Sequence, residues 1–202
     1  MRAFFRGRQR APVAARTAGF IFTRAGRWER GVRIVGGRLG GRDLVSPSDY
    51  RVRPTAEAVR AELLEALAAE IRGARVLDLF AGTGALGLEA LSRGARTADF
   101  VEFRPSSLHA LKANVAALGL QRQARIIKRD AIPFAEALEA GCYDVGFADP
   151  PYGSKILDRV IAAWRRCPFA RVFAVEHDPA HELPAGERRL SFPDSAVTIY
   201  RA

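Results

Sequence analysis

The sequence predicts an α/β fold with a mostly parallel sheet, and three observations support this prediction. From residue 76 onward, short apolar runs alternate with segments of helical spacing, which is the pattern of a parallel sheet covered by helices. A glycine-rich turn follows the first of these runs, as expected where a strand passes directly into a helix. The last two strand-like runs flank Pro193-Asp194-Ser195 and predict an antiparallel hairpin. In such sheets, ligands bind in a crevice at the carboxyl ends of the parallel strands.

Residues 1–31 form a basic segment that differs in composition from the rest of the chain. They contain eight arginines and one acidic residue, Glu29, and so hold +7 of the chain's formal net charge of +10. Because they show no sustained helical or strand period, they are predicted to be a largely disordered arm. Three explanations stay open: an RNA-contacting arm, an organelle transit peptide, and upstream sequence absent from the native product.

Residues 32–72 predict a small extension made of a β-hairpin and a helix. Residues 32–35 form the first predicted strand, and two glycine-rich turns lead to a second strand at Leu44-Val45. Arginines punctuate this segment: Arg33, Arg38, Arg42, Arg51 and Arg53. Arginines beside glycine turns can bind phosphates, although a solvated hairpin with scattered charges explains them equally well. Thr55 is the predicted N-cap of the helix, whose apolar residues recur at helical spacing, and Gly73 ends it.

Residues 73–202 supply the α/β domain. Each predicted strand is a short, mainly apolar run, which suits strands buried on both faces. The predicted strands are 76–80, 97–101, 124–128, 143–148 and 171–175, followed by the hairpin strands 188–192 and 196–200. The predicted helices are 88–93, 106–118, a short one ending at 138, and 155–166.

Composition and cysteine usage restrict the class of protein. With 202 residues, of which 49% are hydrophobic and 27% charged, the chain suits one globular domain with an appendage. No apolar run approaches the roughly 20 residues of a membrane span, and no signal-peptide pattern opens the chain. Cys142 and Cys167 lack the spacing of metal ligands, which favours a reducing, intracellular setting. We therefore expect a cytoplasmic protein with no metal and no membrane partner.

The glycine turn and three acidic residues indicate a cofactor site. Gly82 to Gly87 match G-x-G-x-x-G, and Glu102 lies 20 residues beyond the first glycine, where an acid would bind ribose hydroxyls. A dinucleotide site would show the same pattern. Asp78, just before the turn, would repel a pyrophosphate but suits an ammonium group, and Asp130 can accept from an adenine amino group. These carboxylates favour S-adenosylmethionine over a dinucleotide.

Asp149-Pro150-Pro151-Tyr152 follows the fourth predicted strand of the domain. The two prolines cannot continue a central strand, so the chain must leave the sheet there. The carboxylate and the outward carbonyls could accept both hydrogens of a planar NH2 group, and the ring could stack on it. The alternative is a strand-ending turn in which Asp149 acts as a cap and Tyr152 packs in the core.

Taken together, these motifs resemble the class I S-adenosylmethionine-dependent methyltransferases, and among them the bacterial 16S ribosomal RNA (guanine-N2)-methyltransferases. The resemblance covers residue 32 to the C-terminus. It rests on the glycine-turn run 77–93, on Asp149-Pro150-Pro151-Tyr152, and on a distinctive N-terminal pattern: Arg33-Ile34-Val35-Gly36-Gly37, Gly41-Arg42, Arg53-Pro54-Thr55 and Val59-Arg60.

The resemblance implies a Rossmann-like class I methyltransferase sheet, S-adenosyl-L-methionine as cofactor, and methylation of the N2 amine of a guanine in small-subunit ribosomal RNA. It also implies a monomer that acts on an assembling ribosomal particle. It assigns catalysis to Asp149, Pro150 and Tyr152. It assigns cofactor binding to Asp78, Ala81, Gly82, Gly84, Glu102, Asp130 and Ala131. It assigns RNA binding to Arg33, Arg38, Arg42, Arg53, Thr55 and Arg60.

The chain departs from the family pattern at three positions, and alternative functions stay open. Arg104 stands where an acid is usual, Glu57 where aspartate is usual, and Ala61 where glutamate is usual. A DNA adenine-N6 methyltransferase shares the motif at Asp149, but usually carries a target-recognition insert. A protein glutamine-N5 methyltransferase prefers asparagine there and has a larger N-terminal domain. A non-catalytic RNA-binding assembly factor is the alternative from another class.

Overall fold

The structure is a computed structural model, and it describes residues 20–22, 28–30, 32–46, 56–152 and 155–202. The chain divides into two compact units, with the boundary between Gly31 and Val32. In the first unit, β1 (Phe20–Phe22) and β2 (Trp28–Arg30) pair as an antiparallel sheet. The prediction that the N-terminal segment lacks strands is therefore corrected for these six residues, whose aromatic and β-branched members favour strands. The remainder of the predicted arm lies outside the described residues.

The second unit contains the elements of the predicted extension and of the α/β domain. Its strands are β3 (Val32–Arg33), β4 (Asp43–Leu44), β5 (Arg75–Leu79), β6 (Thr97–Glu102), β7 (Ala124–Lys128), β8 (Tyr143–Ala148), β9 (Ala170–His177), β10 (Arg188–Ser191) and β11 (Ala196–Arg201). Its α-helices are α1 (Glu57–Ala66), α2 (Ala68–Ile71), α3 (Ala85–Ser92), α4 (Pro105–Ala117), α5 (Ala131–Glu136) and α6 (Ile156–Arg166). A 3-10 turn, Gly37–Leu39, connects β3 to β4.

Seven strands form one sheet in the order β10-β11-β9-β8-β5-β6-β7. The five strands from β5 to β9 pair in parallel, whereas β11 pairs antiparallel with β9 and β10 antiparallel with β11. The predicted mostly parallel sheet with an antiparallel C-terminal hairpin is confirmed. β5 lies inside the sheet, with β6 and β7 on one side of it and β8 and β9 on the other. The direction in which successive strands are added therefore reverses between β5 and β8. A crevice is expected at the carboxyl ends of the strands at this point.

Apolar residues of the sheet point alternately to two hydrophobic clusters, one on each face. In β9, Val172 and Ala174 belong to one cluster, and Phe173 and Val175 belong to the other. Residues of α1, α3 and α4 complete the first cluster, and residues of α5 and α6 complete the second. Burial on both faces explains why the strands are apolar throughout, and it leaves the strand ends as the place for polar chemistry.

The extension docks on α3 through backbone groups. Ser92 donates from Oγ to the carbonyl of Gly36 at 2.6 Å and accepts the N–H of Leu39 at 2.9 Å. A Cβ added to Gly37 would lie 2.2 Å from the carbonyl oxygen of Ser92, so a larger residue cannot approach this closely. The buried carboxylate of Glu89 accepts the N–H of Gly36 at 3.2 Å. The glycine pair of the N-terminal pattern is therefore a docking element for the extension.

The predicted helix of the extension is divided into two. It begins at Glu57 with Ala56 at the N-cap position, and the predicted cap Thr55 lies outside the described residues. The helix breaks at Leu67, whose φ of −108° and ψ of 19° depart from helical values. The predicted end at Gly73 is consistent with its φ of 75°, a conformation that glycine adopts readily after a helix.

Candidate active site

Residues at the ends of four neighbouring strands form one row at the edge of the sheet. Leu79 of β5 pairs with Ala148 of β8 on one side and with Val101 of β6 on the other. Ala148 in turn pairs with Val175 of β9. The residues that follow these positions therefore lie at the same edge of the sheet: Glu176, Asp149, Phe80 and Glu102.

Phe80 begins the glycine turn in a strained conformation. Its φ is 61°, in the left-handed region that residues other than glycine seldom occupy, at a cost of about 1–3 kcal/mol. Gly82 follows with a φ of 56°. The two positive φ values turn the chain sharply away from β5, so that Ala81 and Gly82 present their backbone to the cavity described below.

The two later glycines let α3 approach the sheet. Gly84 caps α3 with a φ of 82°, and a Cβ there would lie 2.4 Å from Cδ1 of Leu111. A Cβ at Gly87 would lie 2.4 Å from Cε1 of Phe100. Gly84 is not among the residues that line the cavity. A residue with a side chain would therefore clash at the start of α3, and the predicted contact of Gly84 with the cofactor stays a prediction.

Asp78 is a buried carboxylate in the cavity wall. It is 3% exposed, and its Oδ2 accepts the N–H of Gly87 at 3.0 Å. Burial raises the pKa of Asp78 to about 7; the hydrogen bond from Gly87 opposes this rise, and the charge of Glu102 adds to it. A cation bound beside Asp78 would favour its ionised form, so the site suits a positively charged group.

Glu102 is fixed by three backbone hydrogen bonds. Its Oε2 accepts the N–H of Gly82 at 2.9 Å, and its Oε1 accepts those of Phe103 at 2.7 Å and Arg104 at 2.8 Å. The side chain is 6% exposed and lines the cavity. Because each carboxylate oxygen has two lone pairs, Oε2 keeps acceptor capacity for a ligand hydroxyl.

Asp130 and Ala131 lie at the start of α5. Asp130 is the N-cap residue, and its Oδ1 accepts the N–H of Ile132 at 2.9 Å. Both predicted residues line the cavity, with Ala131 buried and Asp130 exposed. The second oxygen of Asp130 can accept a hydrogen bond from an amino group.

The loop after β8 brings the predicted catalytic residues to the same cavity. Asp149 is half-buried, Pro150 is buried, and Tyr152 is 41% exposed. The Tyr152 hydroxyl donates to Oε1 of Glu176 at 3.2 Å. Burial, the charge of Glu176 and the charge of Asp149 together raise the pKa of the Tyr152 phenol. The alternative in which Tyr152 packs in the core is therefore wrong, because the residue is exposed and lines the cavity.

A single cavity of about 960 Å³ contains both groups of predicted residues. Its volume is at the upper end of the range for small-molecule sites, enough for a cofactor and part of a second substrate. The predicted cofactor residues in its wall are Asp78, Ala81, Gly82, Glu102, Asp130 and Ala131. The predicted catalytic residues in its wall are Asp149, Pro150 and Tyr152.

Three of the predicted RNA-binding arginines lie on the surface of the extension. Arg33 is half-buried, with Nε 3.2 Å from Oε2 of Glu57. Arg38 and Arg42 are exposed and donate to the side chain of Gln123 and the carbonyl of Ala117, both at 3.1 Å. A guanidinium has five N–H donors, so these bonds leave donors for phosphates. Of the three other predicted residues, Arg53 and Thr55 lie outside the described residues.

Arg60 does not belong to the predicted RNA surface. It is 1% exposed, its Nε lies 3.3 Å from Oε2 of Glu89, and it donates to the carbonyl of Arg33 at 2.7 Å. The predicted RNA contact is therefore corrected, because a residue enclosed by α1, α3 and β3 cannot reach a phosphate. The sequence contained a signal for this: Arg60 precedes Leu63 and Leu64 by three and four residues and so lies on the buried face of the helix.

Three residues in or next to the site were not predicted from the sequence: Phe80, Glu176 and Asn114. Phe80 and Glu176 line the cavity, and Glu176 could have been found by the rule that located Asp149, since it also ends a parallel strand. The buried Asn114 accepts the N–H of Val45 at 2.7 Å and donates to the carbonyls of Val45 and Thr83, both at 3.0 Å. It thereby ties the extension to the glycine turn, and no local motif marks it.

Within the described ranges, no group of three or more histidine, cysteine, aspartate or glutamate residues is placed to hold a metal ion. Among those same residues, no helix is long and apolar enough to cross a membrane.

Comparison with known proteins gives consistent results. A family model described as "Conserved hypothetical protein 95" matches residues 32–188. The chain is 33% identical to "Putative rRNA methyltransferase YlbH" of Bacillus subtilis over 182 residues, which is 84% of this chain and 98% of that protein. It is 39% identical to "Ribosomal RNA small subunit methyltransferase D" of Escherichia coli K12 over 130 residues. That alignment spans 64% of this chain and 65% of the E. coli enzyme.

A solved structure agrees with the fold. The structure described as "Putative methyltransferase yhhF from Escherichia coli" is 33% identical, with a TM-score of 0.73. The match covers 85% of this chain and 97% of that one.

Proposed function

The chain belongs to the family described as Conserved hypothetical protein 95, and we propose that it transfers a methyl group from S-adenosyl-L-methionine to the N2 amine of a guanine in small-subunit ribosomal RNA. The methyltransferase class and the ribosomal RNA substrate follow from the names of its relatives. The exocyclic amine rests on the site, and its assignment to guanine rests on the resemblance of the sequence motifs. The observation that carries the proposal is the common cavity, whose wall contains Asp149 together with the glycine turn and Glu102.

The residues of one half of the cavity fit the cofactor. Asp78 offers a carboxylate to the ammonium group of the methionine moiety, and Glu102 keeps acceptor capacity for a ribose hydroxyl. Asp130, whose Oδ1 accepts the N–H of Ile132, would accept from the adenine amino group with its second oxygen. Three acids in one wall would repel a pyrophosphate, so this wall favours a phosphate-free, cationic ligand. When bound, the cofactor supplies an electrophilic methyl group on a sulfonium centre.

Asp149 and the carbonyl of Pro150 orient the acceptor amine. The N2 lone pair of guanine is delocalised into the ring, which makes the amine a poor nucleophile. Acceptors for both N–H groups direct the lone pair out of the plane of the base, towards the glycine-turn half of the cavity. Positive charge grows on the nitrogen during transfer, so a fixed carboxylate stabilises the transition state more than the ground state. Asp149 need not be a strong base, because the methylated nitrogen is itself acidic.

Tyr152 provides the stacking surface for a base that has left its helix. Its ring is 41% exposed at the cavity, and the hydrogen bond to Glu176 holds it in place. Stacking of a base on an aromatic ring contributes about 1–3 kcal/mol.

The extension supplies the contacts to the RNA backbone. Arg38 and Arg42 are exposed on a segment that Ser92 and Glu89 fix to α3, so their charges have a defined position relative to the cavity. Contacts to phosphates give affinity and register without reading sequence. We include in the proposal that the enzyme acts as a monomer on an assembling small-subunit particle.

The experiment that tests the proposal is mass spectrometry of the modified nucleosides. Purified protein and S-adenosylmethionine are incubated with small-subunit RNA, free and in particles, from a strain that lacks the gene. We expect N2-methylguanine at one nucleotide. Formation of N6-methyladenine in DNA or of N5-methylglutamine in protein would favour one of the other methyltransferases. Binding of RNA without any methyl transfer would favour the assembly factor.

A further inference from the structure

Glu176 is a second acidic residue at the end of the cavity where the proposed function places the base, and that function gives it only the task of holding Tyr152. It lies near the end of β9, is 8% exposed and lines the cavity. Taking a carboxylate out of water costs free energy. Buried charges in a cavity wall are enriched at functional sites.

The sheet places Glu176 directly beside Asp149. Ala148 and Val175 are paired across β8 and β9, and each is followed directly by an acidic residue, Asp149 just after the end of β8 and Glu176 within β9. Tyr152 donates to Glu176 at 3.2 Å, and the charges of Glu176 and Asp149 both raise the pKa of its phenol. The wall of the cavity therefore contains two carboxylates that follow paired residues of adjacent strands, together with a stacking ring.

Two adjacent carboxylates complement one edge of guanine. Its N1–H and its N2 amine are both donors, and a single ring carbon separates the two nitrogens. Adenine and cytosine instead carry a lone pair on the corresponding ring nitrogen. A carboxylate accepts from N–H but repels a lone pair, so a second carboxylate beside Asp149 would favour guanine and disfavour the other two bases.

We propose that Glu176 accepts the N1–H of the target guanine and thereby selects guanine as the base that is methylated. The inference rests on the proposed function and deepens it. The hydroxyl of Tyr152 occupies one lone pair of Oε1, and a carboxylate has acceptor sites beyond that one. Reading a flipped base by hydrogen bonds to this edge is a general device of enzymes that act on extruded nucleotides.

The test pairs a change in the enzyme with a change of the target base that removes the N1–H and O6. Once the methylated nucleotide has been mapped, two versions of the RNA are prepared, with guanine or 2-aminopurine at that position. 2-Aminopurine keeps the amino group, but its N1 is an acceptor. Each RNA is presented in the form, free or assembled, that the wild-type enzyme methylates. We expect the wild type to prefer guanine by about 10- to 100-fold in kcat/KM, the value of one hydrogen bond to a charged group.

The variant Glu176→Gln is expected to lose this preference. Its amide can donate to the N1 of 2-aminopurine, so kcat/KM should fall for the guanine RNA and rise for the other, and the ratio should approach one. The control Tyr152→Phe removes the hydrogen bond to Glu176 but keeps the ring and the carboxylate. It is expected to lower both rates and to leave the ratio near the wild-type value. Thermal unfolding and titration with S-adenosylmethionine check that each variant is folded, and Glu176→Asp replaces Glu176→Gln if that variant is not.

The outcomes separate this inference from the proposed function. If the wild type forms no N2-methylguanine on the guanine RNA, the proposed function itself fails. If it does, but uses both RNAs equally well, or if Glu176→Gln keeps the wild-type ratio, only the role of Glu176 is overturned. The role is also overturned if Tyr152→Phe changes the ratio as much as Glu176→Gln, because Glu176 would then act through the tyrosine.

Discussion

Replacement of Asp78 by Asn is expected to stabilise the protein and to weaken cofactor binding. Burial raises the pKa of this carboxyl group from 3.8 to about 7. The difference is about three pH units, and each unit corresponds to 1.36 kcal/mol, so the ionised side chain opposes folding by as much as about 4 kcal/mol above pH 7. The amide keeps an acceptor for the N–H of Gly87 but removes the buried charge.

The stabilising effect of Asp78→Asn on the free energy of unfolding should depend on pH. Between about pH 4 and pH 7 the folded state holds a proton that the unfolded state has lost, so the free energy of unfolding of the wild type falls as the pH rises through this window. Asp78→Asn lacks this decrease. The amount by which its free energy of unfolding exceeds that of the wild type should therefore grow from near zero at about pH 4 to a few kcal/mol at pH 8. Urea unfolding without cofactor, followed by circular dichroism from pH 4.5 to pH 8, measures the difference.

Cofactor binding should change in the opposite direction. A bound ammonium group requires the ionised carboxylate, so wild-type affinity for S-adenosylmethionine should weaken as the pH falls below 7, and Asp78→Asn should bind weakly at every pH. Isothermal titration calorimetry at pH 6 and pH 8 measures both. A variant that is less stable than the wild type at pH 8, or that binds the cofactor as tightly, would contradict the reasoning.

Two further predictions concern the extension. Arg60→Met removes one of the two arginine partners of the buried carboxylate of Glu89, while Arg93 at 3.2 Å remains, and is expected to lower the free energy of unfolding by about 1.5–3 kcal/mol; a loss below 1 kcal/mol in urea unfolding would show that the ion pair does not hold the extension. The double variant Arg38→Gln/Arg42→Gln is expected to weaken RNA binding uniformly across sequences and to reduce the slope of log K against log salt by about one for each phosphate that the variant no longer neutralises. The control Arg188→Gln, an exposed arginine of β10 at the opposite edge of the sheet, should leave the slope unchanged, and an equal effect of both variants would indicate binding through net charge alone.

The strands and the position of Asp149 could be predicted from the sequence because the signals are local. The bounds of β7 and β8 match the predicted ranges, since each is an apolar run that ends at polar residues or prolines. Because the carboxyl ends of parallel strands meet at one edge of the sheet, Asp149 and Glu102 could be assigned to one crevice before any coordinates were known.

The remaining features depend on contacts between distant parts of the chain. The ion pair of Arg60 joins residues 29 positions apart, on two helices whose packing the sequence does not state. The positive φ of Phe80 occurs at a residue type that gives no local sign of it. Gly84 matches a cofactor motif, and a Cβ at this position would also lie 2.4 Å from Cδ1 of Leu111 in α4. Motifs identify the turn but do not separate glycines that face the ligand from those that face a helix.

The most direct test of the central claim is methyl transfer by Asp149→Ala. Transfer of a radiolabelled methyl group from S-adenosylmethionine to small-subunit RNA is measured alongside calorimetric titration of the cofactor. If the carboxylate of Asp149 orients the acceptor amine, the variant should retain the affinity of the wild type for the cofactor and lose turnover. A variant that methylates the RNA at nearly the wild-type rate would contradict the account.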